Sequence, residues 1–201
     1  MTVPGAAQSD EELAALAASG DVRAFEMLVE RYQGRIYRLA CRMTSETEAP
    51  DVLQDTFLQV YRHLPEFRGA SRFGTWIYRI ATNVCLMRHR SASRRPAESL
   101  ENFLPRFDES GTHADVPEKL RQTSRLDEVL DRRALAEKAH AALERLPDMY
   151  REAFVLRDLE ELPTTEVAEA LGLEPATVRQ RVHRARLMLR GYLNELAGGT
   201  R

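Results

Sequence analysis

Residues 162–190 read LPTTEVAEALGLEPATVRQRVHRARLMLR. Thr165 to Leu171 has helical spacing, with Pro163 ahead of it and Gly172 just past its end, where a helix C-cap belongs. Pro175 suits the first turn of a second helix, predicted to run to Leu196. Two helices joined by a short turn, the second one basic, make a helix-turn-helix. On a wheel at about 100° per residue, Val178, Val182, Ala185 and Leu189 fall together and face a core. Ala176, Gln180, His183, Arg184 and Leu187 fall opposite, flanked by Thr177 and Arg179. Such a face fits the major groove, because glutamine pairs bidentately with adenine and arginine with guanine, each worth about 1–3 kcal/mol of discrimination. Arg181, Arg186 and Arg190 lie off that face and suit phosphates, which add affinity without sequence information. The plain alternative is a solvated basic helix end, where arginines also complement the helix dipole.

Helical periodicity continues upstream, and no strand alternation of useful length interrupts it. Two more patterns, Leu135–Leu146 and Tyr150–Leu159, precede the motif, separated by Pro147. At the other end, Ser9 and Glu12 make a capping box for a short first helix, which Gly20-Asp21 punctuates. Phe25, Leu28, Val29, Tyr32, Ile36, Leu39, Ala40 and Met43 trace one face of a long amphipathic helix. Ser45 and Glu48 make a second capping box, and Pro50 suits the first turn of a helix that ends near Leu64, before Pro65. A loop, 66–73, leads to a third long helix that Thr75 caps and that runs to about His89. Between Pro96 and Arg132 the chain has three prolines (96, 105, 117), Gly111 and weak periodicity. That segment reads as a linker, either a plain spacer or one holding a short helix around Leu120 to Leu130. The expected fold is all-α: two small helical domains, 9–95 and 133–197, joined by an acidic linker, 96–132, the C-terminal domain being the helix-turn-helix.

The net charge of −2 hides a strong segregation of sign. Arg62 to Arg95 contains eight arginines and one acid, and Ala176 to Arg190 five arginines and none. Glu98 to Asp131 carries nine acids against four basic residues. Two basic blocks with an acidic stretch between them are the footprint of a chain that meets nucleic acid at two places.

The first basic block contains FRGASRFGTWIYR at 67–79, in which aromatics and arginines interleave across a glycine-containing loop and into a helix. Aromatic planes stack on unpaired bases at about 1–3 kcal/mol each while arginines hold the backbone, so this pattern suits single-stranded or melting DNA. Ile77, Ile80, Ala81 and Val84 are expected to face inward, and Arg79, Thr82, Asn83, Leu86 and Arg90 outward. The same pattern fits core aromatics at Trp76 and Tyr78 beside surface arginines, and both readings stay open. On the preceding helix Leu53, Phe57, Val60 and Leu64 share a buried face. Opposite lie Asp51, Asp55, Leu58 and Arg62, with Gln54 and Gln59 beside them. A leucine exposed among carboxylates and amides suits a protein partner, although lone exposed leucines are common.

Other classes find little support. Leu13 to Ala18 is too short to cross a bilayer and lacks a basic flank, so the chain is expected to be soluble and cytoplasmic, without membrane insertion. Cys41 and Cys85 show no metal-ligand spacing and are expected to pack in the core. The acid pairs Asp51/Asp55 and Glu160/Glu161 come without histidines at ligand spacing, and no phosphate-cradling loop or nucleophile motif occurs. Neither catalytic residues, a metal nor a cofactor is expected.

The motifs together resemble the extracytoplasmic-function group of sigma factors of bacterial RNA polymerase. Gly20-Asp21 through Ala24-Phe25 and Tyr32 is similar to the family's opening helices. Asp51 to Tyr61, DVLQDTFLQVY, is similar to the segment that grips the coiled-coil clamp helices of the β′ subunit. Residues 67–69 and 75–83, FRG and TWIYRIATN, resemble the region that recognises and melts the −10 element. Leu146-Pro147, Ala168-Glu169, Leu171-Gly172 and Thr177 to Arg186 resemble the domain that reads the −35 element and contacts the β flap. Pro50, Met87 and Gln180 depart from the family's usual residues at their positions.

The resemblance implies core polymerase and promoter DNA, both duplex and non-template single strand, as partners, and commonly an anti-sigma factor. It places polymerase contacts at Asp51, Gln54, Asp55 and Leu58. Contacts at −10 fall on Arg68, Ser71, Arg72, Phe73, Trp76, Tyr78, Arg79 and Asn83, and those at −35 on Thr177, Arg179, Gln180, His183, Arg184 and Arg186. A linker of about 36 residues spans at most about 120 Å extended but only about 33 Å relaxed. The two promoter elements are about 70 Å apart, so the linker is expected to be stretched or held, with polymerase the agent that the resemblance implies. Free in solution, the domains can instead pack together and mask their DNA faces. Rival readings are a stand-alone helix-turn-helix regulator, which lacks an evident dimer interface, and a helical adaptor whose basic faces bind acidic proteins.

Overall fold

The computed structural model describes residues 8–92 and 130–198, and every regular element among them is helical. The expected short helix around 120–130 lies outside these residues, apart from Leu130.

Helix α1 (Asp10–Ala18) starts with the predicted capping box: the Ser9 hydroxyl accepts the Glu12 N–H, and the Glu12 carboxylate accepts the Ser9 N–H. Gly20, at φ 100°, reverses the chain in a conformation that side chains resist, and the Asp21 carboxylate then caps α2 (Val22–Met43) at Ala24 N–H. Leu28, Tyr32, Ile36, Leu39, Ala40 and Met43 bury the predicted face of α2. Helix α3 (Ala49–His63) carries Pro50 in its first turn and ends in a 3₁₀ turn at Leu64–Glu66. Ser45 bonds Glu48 N–H, but in the turn before α3 rather than at its cap, because the Ser45 carbonyl already takes the amides of Glu48 and Ala49. The face α3 buries is centred on Val52, Thr56 and Val60, one position off the predicted Leu53–Phe57 line; those two are half-buried.

Helix α4 (Phe73–Ala92) begins two residues before the predicted cap, since the Arg72 carbonyl already accepts Trp76 N–H. Thr75 therefore sits buried inside the first turn and caps nothing. Thr82, expected to face out, is also buried: Thr75, Tyr78 and Thr82 form one covered stripe of α4. Two of its members bond to the C-terminal half, which periodicity within α4 cannot reveal.

The C-terminal half consists of α5 (Leu130–Glu144), α6 (Asp148–Phe154), α7 (Thr164–Leu171) and α8 (Pro175–Gly198). Helix α5 takes in the last three residues expected in the linker. Pro147 and Pro163 stand at the N-caps of α6 and α7. Beyond Phe154 the chain widens into a π turn, Val155–Leu159, instead of continuing as α-helix. Gly172, at φ 64°, closes α7, and the next amide, Leu173 N–H, returns to the Ala168 carbonyl at 2.8 Å. Leu143, Leu146, Tyr150, Ala185, Met188 and Tyr192 join α5, α6 and α8 in a core of their own.

The two halves also pack on each other. Ala153, Val155, Leu156, Val167, Ala168, Ala170, Val178 and Val182 belong to the same buried cluster as the core of α1–α4. Each fully buried valine or leucine side chain among them contributes about 1.5–3 kcal/mol. Arg151 rivets the junction: Nη2 donates to the carbonyls of Glu144 and Leu146, both at 2.8 Å, and Nη1 to the carbonyl of Met43 in α2 at 3.2 Å. Its burial lowers the guanidinium pKa. Cys85 is buried and Cys41 half-buried against the core, as expected; burial pushes the Cys85 thiol up to about 12, so it stays protonated.

Candidate nucleic-acid interface

Helix α8 presents the face its sequence promised. Ala176, Arg179, Gln180, His183 and Arg184 are exposed, Thr177 and Leu187 half-buried, and Val178, Val182, Ala185 and Leu189 buried. The buried side fixes the helix rotation and so aims Gln180, His183 and Arg184 outward together. Arg181, expected toward phosphate, is turned inward instead: it pairs with Glu152 at 2.9 Å, the two side chains only 18% and 11% exposed. Arg186 remains exposed but is chelated by Asp158 through Nε and Nη2, at 2.7 and 2.8 Å, which raises its pKa. Arg190 is exposed.

The loop before α4 is a cationic rim over an aromatic floor. Arg68, Arg72, Arg79 and Asn83 are exposed and Ser71 is half-buried. Phe73 is fully buried, edge-on to Tyr32 at 5.4 Å and to Phe67 at 5.8 Å, and the half-buried Trp76 packs on both Phe67 and Phe73. Phe73 and Tyr78, both read as DNA-contacting, are thus core rings in this arrangement, the alternative left open for Tyr78. Burial, with the neighbouring Glu160 carboxylate, holds the Tyr78 phenol well above its usual pKa.

Acids of the C-terminal half close over this surface. Glu166 of α7 accepts from Arg72 Nη1 and Thr75 Oγ1, each at 3.1 Å. Glu160, whose side chain is 5% exposed, accepts from the Tyr78 hydroxyl at 3.1 Å and pairs with Arg42, which also donates to the Leu159 carbonyl. A cavity of about 860 Å³ remains between the halves, walled by Tyr32, Arg35, Ser71, Arg72, Tyr78 and Glu166. Sequence reading weighed Glu160 only as a metal ligand and missed Arg42 and Glu166; the run of acids at 160, 161, 166 and 169 ahead of the basic helix α8 was the available signal.

On α3, Asp51, Gln54 and Leu58 are exposed and Asp55 half-buried. The two carboxylates are not independent. Arg88 of α4 donates to Asp55 through Nε and Nη2, at 3.2 and 2.6 Å, and to Asp51 through Nη1 at 3.2 Å. Among the described residues no group of acids, histidines and cysteines could hold a metal, and no helix is long and apolar enough to cross a membrane.

A cationic loop on one helical domain and an exposed recognition helix on another define a bipartite DNA-reading protein. Comparison with known proteins gives the family. The sigma-70 region 2 model matches residues 28–95, and the sigma-70 region 4 model matches 136–189. The chain is 34% identical over 197 residues to the ECF RNA polymerase sigma-E factor of Haemophilus influenzae, covering 94% of this chain and 97% of that one. It is 34% identical over 182 residues to the sigma-E factor of Escherichia coli K12, covering 89% and 91%. The solved structure of CnrH in complex with the cytosolic domain of CnrY matches at TM-score 0.66 and 30% identity, over 93% of this chain and 98% of that one. The sigma factor RpoE of Bartonella quintana, solved with the anti-sigma factor NepR, shares the fold at TM-score 0.60 and 22% identity. The chain belongs to the extracytoplasmic-function family of RNA polymerase sigma factors. It is a regulatory DNA-recognition protein that binds core polymerase and directs promoter-specific initiation through the −10 and −35 elements.

Proposed function

We propose that α8 reads the −35 duplex through Gln180, His183 and Arg184, with Thr177 and Arg179 at the flanks and Arg186 on phosphate. The loop Arg68–Arg72 receives a base extruded from the non-template −10 strand. Ser71 and Arg72 line that pocket, the half-buried Trp76 offers a stacking plane, the buried Phe73 and Tyr78 support it from the core, and Arg79 and Asn83 hold the strand. Extrusion costs a few kcal/mol, offset by pocket contacts and backbone charge. Asp51, Gln54, Asp55 and Leu58 dock on the β′ clamp helices, with the C-terminal domain on the β flap. The protein works in the cytoplasm and performs no catalysis of its own. An anti-sigma factor is a natural further partner, as the sigma factor RpoE of Bartonella quintana, which shares the fold, was solved with the anti-sigma factor NepR.

The observation that carries this reading is the exposed Gln180–His183–Arg184 face, held outward by the buried face behind it. Promoter elements about 70 Å apart cannot be met by halves in mutual contact, so the closed packing must open on polymerase. Transcription in vitro with purified core enzyme, mapping start sites, is the direct test. Gln180→Ala with Arg184→Ala is expected to weaken −35-dependent initiation by about 2–6 kcal/mol in total, the sum of two base contacts. Core affinity should be unchanged. Start sites indifferent to the double substitution would remove α8 from promoter reading.

A further inference from the structure

The loop 67–72 ends where α4 begins, and the first amides of a helix need acceptors. The residue ahead of Phe73 is Arg72, whose side chain has donors only and caps nothing. The acceptor comes from α1: Glu11 Oε1 takes the Phe73 N–H at 3.3 Å. Beside it, Asp10 accepts from Arg31 Nη1 at 2.6 Å and from the Tyr32 hydroxyl. Tyr32 in turn packs edge-on against Phe73, and its hydroxyl lies 3.0 Å from where a Cβ on Gly74 would stand, so a side chain there would push the Tyr32 hydroxyl back by a few tenths of an ångström. Asp10, Glu11 and Tyr32 share one cavity wall with Ser71 and Arg72. Helix α1 also packs on the 3₁₀ turn that leads into the loop, so both ends of the loop are held by the same short helix. The region 2 match starts at residue 28, so α1 lies outside it.

We propose that α1 positions the −10 loop: Glu11, with the Asp10–Tyr32 pair, sets residues 68–72 in the form that receives the extruded base. This rests on the loop reading above. A loop fixed at both ends before binding loses less conformational freedom when DNA arrives, which raises affinity without any contact from α1 to DNA. Glu11, Asp10 and Tyr32 are positioning residues in this sense.

The test uses holoenzyme assembled from purified core polymerase, with a fluorescent base placed in the −10 element and a promoter fragment whose −10 region is already single-stranded. Glu11→Ala and Tyr32→Phe are expected to weaken binding to the opened fragment about five- to tenfold, the size of a lost helix cap. Core affinity and binding to a duplex carrying only the −35 element should not change. Glu11→Gln keeps an acceptor for Phe73 N–H and should stay within about twofold of the native chain. Native behaviour of Glu11→Ala would overturn the proposal. So would tighter binding, which would make Glu11 a competitor for DNA phosphate, and so would a parallel loss of core and −35 affinity with a lowered Tm. Ser71→Ala with Arg72→Ala separates the two levels. If that pair keeps full −10 affinity, the loop reading fails; if it loses affinity while Glu11→Ala does not, only the role of α1 fails.

Discussion

Glu160→Ala combined with Glu166→Ala is expected to let the free chain bind a single-stranded −10 oligonucleotide about 10–100 times more tightly, without polymerase. The two carboxylates hold the halves together over the proposed −10 surface: Glu166 occupies Arg72 and Thr75, and Glu160 occupies Tyr78 and Arg42. An affinity measured on a mostly closed population is reduced by the open fraction, so weakening the closed form raises it directly. The Arg72–Glu166 pair is 78% exposed on the arginine side and contributes little on its own. Glu160 is nearly buried and bonds a charged and a phenolic donor, so most of the effect should come from it. Charge-assisted hydrogen bonds are worth about 1.5–3 kcal/mol before screening, and the range above assumes one to two such contacts survive that discount. Fluorescence anisotropy with a labelled oligonucleotide measures it. Unchanged affinity in the double variant would mean that the apolar contact between the halves, not its acids, governs access.

Arg151→Met is expected to cost about 3–5 kcal/mol of folding stability, read by urea or guanidinium unfolding. Methionine matches much of the apolar length but donates nothing. Three buried or part-buried carbonyls, those of Met43, Glu144 and Leu146, then lose a donor. Each costs about 1–3 kcal/mol when left unsatisfied, with some recovery from relaxation. Arg151→Lys should recover only part of this, because one ammonium cannot reach three carbonyls in the guanidinium's forked geometry. A loss below about 1 kcal/mol would show that water replaces the guanidinium without penalty.

Most helices were legible because their signals are local. The Ser9/Glu12 box, the α2 stripe from Leu28 to Met43, Pro147, Pro163 and Gly172 act within a turn or two of their own position. The α8 wheel separated buried Val178, Val182 and Ala185 from exposed Gln180, His183 and Arg184 for the same reason. What escaped depends on contacts distant in sequence. Thr82 reads as a polar surface residue, yet it lies on the covered stripe of α4. Arg181 reads as a phosphate contact until Glu152, 29 residues earlier, is brought beneath it. Arg88 is one more arginine in a basic block until α4 lies along α3 and bridges Asp51 and Asp55. Phe73 looked like a ring offered to DNA because interleaved aromatics and arginines do not say which rings point inward.

The contact between the halves is made within one chain, so it is a unimolecular equilibrium. Synthesising more of the protein multiplies its shut and unshut molecules in the same ratio, and crowding the factor with copies of itself changes nothing. Only a species that prefers the unshut shape can shift that ratio, by mass action on its own free concentration. If the closed packing opens on core polymerase as proposed, vacant enzyme, rather than the abundance of the factor alone, sets how many molecules are ready to meet a promoter.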